Sequence, residues 1–166
     1  HGLMNYPFRT ALLAWLGGGD AAAFRDDMET IRENYPPAAF YGAMNFLGTH
    51  DTPRILTLLG VERTPEDKGQ RAAYRLSPAE LARGQKKLRL AAMLLYSFPG
   101  SPTLYYGDEA GMQGFEDPLN RGTYPWGGED DRCWPSSGGW DSCGRNGYPC
   151  SAASSAISTP RAADWW

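Results

Sequence analysis

No stretch of this chain approaches the ~20 consecutive apolar residues that cross a bilayer, so no membrane span is expected. No large excess of either charge sign is present: 16 Lys and Arg stand against 19 Asp and Glu, a formal net charge of −3. That balance gives no electrostatic footing for nucleic acid or an anionic membrane as partner. No Gly-rich phosphate loop of either common form opens a helix after a strand, which argues against nucleotide binding. A basic-then-apolar leader pattern is also missing from the N-terminus. His1 stands where an initiator Met would, as expected of a chain that begins within a gene. Cysteine does not occur before Cys133; the other two are Cys143 and Cys150. Their spacings match neither a zinc site nor a redox pair, and an odd number argues against a closed disulfide framework. No metal site is expected. The cysteine-free stretch is compatible with the cytoplasm, although the compartment stays open.

What is present is enough for one domain with a core: 166 residues, 13% of them aromatic. Aromatic rings suit a sugar site, but core packing accounts for most of them. Leu3 to Phe8 reads as a short strand. Asp20 follows three glycines and is placed to cap a helix. Phe24, Met28 and Ile31 then share one helical face as far as about Asn34, and Pro36-Pro37 stops that helix. Ala43 to Leu47 is the next strand. Val61 to Arg75 is charged and reads as an insertion loop or a short helix. Ser77-Pro78-Ala79-Glu80 is a strong helix start: Ser as cap, Pro at the first turn, Glu completing a capping box. This helix reaches about Ser97, with Leu88, Ala92 and Leu95 on one face. Pro99-Gly100 ends it, and Thr103 to Tyr106 is a third strand. The order β-α-β-α-β predicts parallel strands joined by right-handed crossovers.

The composition changes near Asp131. Residues 132–166 contain no Leu, Val, Met, Phe, Lys or Glu but hold seven Ser and four of the six Trp. No period of 2 or 3.6 survives there. We expect residues 1–131 to be the folded part. The rest is expected to be a disordered or non-native tail, produced by a reading-frame slip near Asp131 or by genuine low complexity.

Three stretches carry chemistry. The run Asn45-Phe46-Leu47-Gly48-Thr49-His50-Asp51-Thr52-Pro53-Arg54 is an apolar segment that ends abruptly in a His-Asp pair and a turn. A buried parallel strand delivers polar groups to the top of an α/β barrel in this way. Phe98-Pro99-Gly100-Ser101-Pro102-Thr103-Leu104-Tyr105-Tyr106-Gly107-Asp108-Glu109 has the form of a strand and its exit loop. Asp117-Pro118-Leu119-Asn120-Arg121 follows downstream. Together these resemble the α-amylase family of glycoside hydrolases (family 13): its fourth sequence region, its last barrel strand, and the Asp-Pro-x-x-Arg of its neopullulanase and cyclomaltodextrinase branch.

The resemblance implies an α/β fold, as a fragment of a (β/α)8 TIM barrel holding about strands 6 to 8, since a whole barrel takes about 250 residues. It implies an α-glucan or maltooligosaccharide substrate and retention of the anomeric configuration. The family's Asp nucleophile and Glu acid, the pair such chemistry requires, lie on strands four and five, upstream of this chain. The fragment is therefore expected to be inactive alone. What it keeps is the third carboxylate, Asp51, as transition-state stabiliser. An ionised carboxylate can accept from two adjacent sugar hydroxyls, in bonds that strengthen as the ring gains positive charge. His50 is placed to donate to the same hydroxyls; in isolation a His-Asp pair would also suit a loop or helix cap. Arg54 is expected among the substrate-binding residues, pairing with the site's acids or orienting Asp51; its other reading is a surface ion pair of little energetic consequence. Asp117 and Arg121 match a loop that lines the sugar site, where a fork of donors suits hydroxyls. Asp108 and Glu109 are expected to be structural. Trp126 either stacks on a sugar or packs under its loop. No cofactor is implied here, though the resemblance leaves room for calcium in the full-length enzyme and for a homodimer formed through an N-terminal domain.

Three other readings remain. One is a glucosyl-transferring member of the same family, such as trehalose synthase. Another is a non-catalytic carbohydrate-binding remnant. The third is a doubly wound α/β domain unrelated to sugars. As an isolated set of parallel strands, the chain is expected to expose unpaired edges and to be poorly soluble.

Overall fold

The computed structural model describes residues 2–130, 132 and 133. The first helix, α1 (Tyr6–Leu16), lies where a strand was expected. Asn5 caps it, its side chain accepting the Phe8 N–H at 3.1 Å, and Pro7 sits in the first turn, where its missing N–H costs nothing. Only Met4 keeps strand character, as an isolated parallel bridge to Met44. Phe8, Ala11, Leu12 and Leu16 are the residues that α1 buries, and they fall on one helical face.

Helix α2 (Ala21–Asn34) runs as its pattern requires. The Asp20 carboxylate accepts the Ala23 N–H, and Ile31 is buried, with Phe24 and Met28 packed partly against the core. Pro36-Pro37 ends α2, but Pro37 also opens a short helix, α3 (Pro37–Tyr41), which periodicity did not show. Strand β1 (Met44–Phe46) follows, then α4 (Ile55–Gly60) and a short helix α5 (Lys68–Ala73) within the charged segment. The capping box of Ser77 and Glu80 is fully formed and starts α6 (Pro78–Ser97), which packs on α4. Strand β2 (Ser101–Thr103) comes two residues earlier than the expected Thr103 to Tyr106; the last three of those residues already belong to the loop.

Strands β1 and β2 are parallel, with Met44 opposite Ser101 and Phe46 opposite Thr103. Met4 lies on the other side of β1, so the parallel order Met4–β1–β2 holds with a much shortened first member. Two Asn side chains tie the three together. Asn5 Nδ2 donates to Asn45 Oδ1 at 2.8 Å, and Asn45 Nδ2 donates to the Pro99 carbonyl at 3.0 Å. The core is built from Phe8, Leu12, Phe40, Leu47, Ile55, Leu56, Leu88, Ala91 and Leu95. Phe8 and Phe98 stack with ring centroids 4.8 Å apart. Cys133 is also fully buried, with its Sγ 3.8 Å from Gln85 Nε2. The rest of the expected tail lies outside the described residues.

Candidate functional site

Residues 43–60 are buried or half-buried with two exceptions, His50 and Asp51. The chain leaves β1 through Leu47, Gly48 and Thr49, all buried, and then turns. Gly48 is required for its size: a Cβ there would stand 2.7 Å from Asp108 Oδ2. The turn is closed by two threonines. The Thr52 N–H donates to the Thr49 carbonyl at 3.2 Å, the Thr49 N–H to Thr52 Oγ1 at 2.9 Å, and the Asp51 N–H to Thr49 Oγ1 at 3.2 Å. Asp51 therefore does not cap a helix; α4 begins only after Arg54 and has no side-chain cap.

The side chains of His50 and Asp51 are 61% and 63% exposed, and His50 Nε2 lies 3.2 Å from Asp51 Oδ1. The loop at 117–121 brings Arg121 to them. Arg121 Nη2 is 3.0 Å from Asp117 Oδ2 and 4.0 Å from Asp51 Oδ1. Two motifs some 70 residues apart thus meet in one exposed cluster of His50, Asp51, Asp117 and Arg121. Exposed pairs of this kind contribute about 0–1 kcal/mol. Hydroxyl groups of an incoming ligand can replace them at little cost.

Arg54 does not join this cluster. The expectation of a surface pair, or of reach to Asp51, gives way to complete burial of its side chain. Its Nη1 donates to Asp108 Oδ1 at 3.3 Å and to the Tyr106 carbonyl, and its Nε donates to the Asn120 carbonyl at 2.8 Å. Its guanidinium carbon lies 4.3 Å and 4.5 Å from the ring centroids of Tyr105 and Tyr106, within cation–π range. A group enclosed in this way cannot touch substrate. Asp108 is structural, as expected: burial pushes its carboxyl up to about 7 against the opposing pull of Arg54.

Pattern reasoning passed over Asn120 except as a letter of its motif. It is fully buried, and its Nδ2 donates to the carbonyls of His50 and Thr52, both at 2.8 Å. Its flanking residues gave no signal, because a lone Asn in a polar loop has the same appearance whether it points in or out. Arg9 was also missed. From α1 its Nε donates to the Leu47 carbonyl at 2.6 Å, at the end of β1. Trp126 does not pack under its loop; it is 85% exposed, beside the Tyr124 ring at 4.5 Å between centroids. The groove lined by Arg63, Thr64, Pro65, Glu66, Asp67 and Gln70 shares no residue with this cluster. Among the described residues, no group of three or more His, Cys, Asp or Glu is placed to hold a metal ion.

Comparison with known proteins identifies the family. The family model for the α-amylase catalytic domain matches residues 2–148. An amylopullulanase of Thermoanaerobacter thermohydrosulfuricus is 42% identical over 140 residues, covering 77% of this chain and 9% of its own length. A cyclomaltodextrinase of Geobacillus thermopakistaniensis is 33% identical over 126 residues, covering 75% of this chain and 18% of its own length. Among solved structures, the cyclic α-maltosyl-(1→6)-maltose hydrolase of Arthrobacter globiformis, in complex with cyclic α-maltosyl-(1→6)-maltose, superposes with a TM-score of 0.62 and 32% identity. That alignment covers 80% of this chain and 26% of the hydrolase. The chain thus spans a small part of the relatives it matches.

Proposed function

The chain belongs to the α-amylase family of glycoside hydrolases, and on that premise we propose that it is the C-terminal part of a catalytic (β/α)8 barrel acting on α-glucans. Met4, β1 and β2 then stand for barrel strands six, seven and eight, a reading supported by their parallel order. Asp51 stabilises the transition state, and His50 donates to the same sugar hydroxyls. Asp117 and Arg121 hold hydroxyls further along the glucan. Arg54 serves beneath the site by fixing the loop that carries Arg121. The nucleophile and the general acid of a retaining mechanism belong to strands upstream, so this chain alone binds sugar without cleaving it.

One observation carries the reading. Within 43–60 only His50 and Asp51 are exposed, and the side chain that approaches them from a distant motif is Arg121. An Asp flanked by donors is suited to charge building on a sugar ring, because its hydrogen bonds strengthen as positive charge develops. The test is a titration of the 166-residue chain with maltotriose, followed by amide NMR. Saturable shifts at residues 50–52 and 117–122 are expected, with affinity at least tenfold lower in Asp51→Ala and no release of reducing sugar. Unchanged spectra at millimolar maltotriose would overturn it.

A further inference from the structure

Asn120 is the single buried residue between 116 and 126, and what it holds decides the geometry of the site. A side-chain amide has two N–H donors on one nitrogen. Both are spent on carbonyls 68 and 70 residues away, those of Thr52 and His50, which flank Asp51 on either side. The main-chain carbonyl of the same residue accepts from Arg54 Nε, and the next residue is Arg121. One side chain thus spans from the turn that carries His50 and Asp51 to the loop that carries Asp117 and Arg121. The exposed ion pairs above it are too weak to do this. The amide's own oxygen is buried without a partner. A buried orphan acceptor is unfavourable and uncommon. It is tolerated here because turning the amide over would aim its oxygen at two carbonyl oxygens.

We propose that Asn120 is a positioning residue, whose paired N–H donors set where Asp51 stands relative to Arg121. The sugar part of this statement rests on the function proposed above; the clamp itself does not. The test uses the 166-residue chain and three variants. Asn120→Asp keeps shape and removes the donor pair, Asn120→Ala removes the side chain, and Leu88→Ala weakens the core at α6, outside both loops. Amide hydrogen exchange is read at Asp51 and Thr52, whose N–H groups close the turn, and along α6. In both Asn120 variants the turn amides should exchange at least tenfold faster while α6 stays as it was. In Leu88→Ala the α6 amides should speed up at least as much as the turn. Maltotriose affinity, measured where circular dichroism shows each variant folded, should fall about tenfold in the Asn120 variants and hold in Leu88→Ala. Turn amides that exchange as in the parent chain, or that speed up only in step with α6, overturn the clamp. If the parent chain fails to bind maltotriose while exchange changes as expected, the clamp stands and the sugar reading falls.

Discussion

Arg54 is the largest side chain buried completely among the described residues, and its burial gives it more consequence than any exposed charge near it. Arg54→Ala would leave the Asp108 carboxyl without its cation in the interior. A buried acceptor left without its donor costs about 1–3 kcal/mol, and urea denaturation should show a loss of at least that size. The double replacement Arg54→Met with Asp108→Leu should cost less, since no buried carboxyl is left without its donor. Two carboxyls also make opposite contributions with pH. The Asp108 carboxyl is raised from 3.8 to about 7 by burial. Folding therefore takes up a proton, and stability declines as pH climbs from about 4 to 7. Glu80 is lowered from 4.5 to about 2 by hydrogen bonds from the Tyr74 hydroxyl, the Glu62 N–H and Ser77. Its contribution is complete above about 4.5 and disappears as pH falls towards 2. Melting temperature against pH should lose its decline between 4 and 7 in Asp108→Asn, and its acid limb should shrink in Glu80→Gln. The role of Arg54 could not be read beforehand, because its partner lies 54 positions away and nothing local tells a guanidinium which way to turn.

Helices with complete local signals were readable, and those that depend on distant partners were not. α6 runs over Pro78–Ser97 as its capping box and apolar face require, and α2 begins after Asp20. Leu3 to Phe8 misled because a short, largely apolar run fits either period. The deciding information was the spacing of Phe8, Ala11, Leu12 and Leu16 together with an Asn cap before a Pro. The packing of α4 on α6 adds a demand invisible in sequence. A Cβ on Gly84 would stand 3.0 Å from the Gly60 Cα and 3.1 Å from the Leu56 carbonyl oxygen. Backbone cannot yield as a side-chain tip can. Gly84→Val should cost about 1–3 kcal/mol through overpacking, read as a lowered melting temperature. Ser77→Ala should cost about 1 kcal/mol by removing the cap.

Across the whole molecule, three stretches of sequence indicated the family, and two of them, 45–54 and 117–121, meet at the exposed cluster. The third, 98–109, lies beneath it as support through Tyr105, Tyr106 and Asp108. The exposed residues of the cluster were proposed from the resemblance of 45–54 and 117–121 to the family's motifs. Short-range pattern could not name Asn120, whose role exists only once the loops have closed. The described sheet is two short strands and one bridge, and Leu3, Tyr41, Met93 and Trp126 are exposed on the same unit. Unpaired strand edges favour association. Light scattering of the isolated chain should rise with concentration in the micromolar range. A monomer with one sharp cooperative melt would count against that.

The division between exposed His50, Asp51, Asp117 and Arg121 and buried Asn45, Arg54, Asp108 and Asn120 has a consequence for variation. In a library selected for folding alone, positions 50, 51, 117 and 121 should drift freely, while 45, 54, 108 and 120 should return close to their starting residues. New ligand preferences could then arise by rewriting four letters on the outside while the inner four stay fixed.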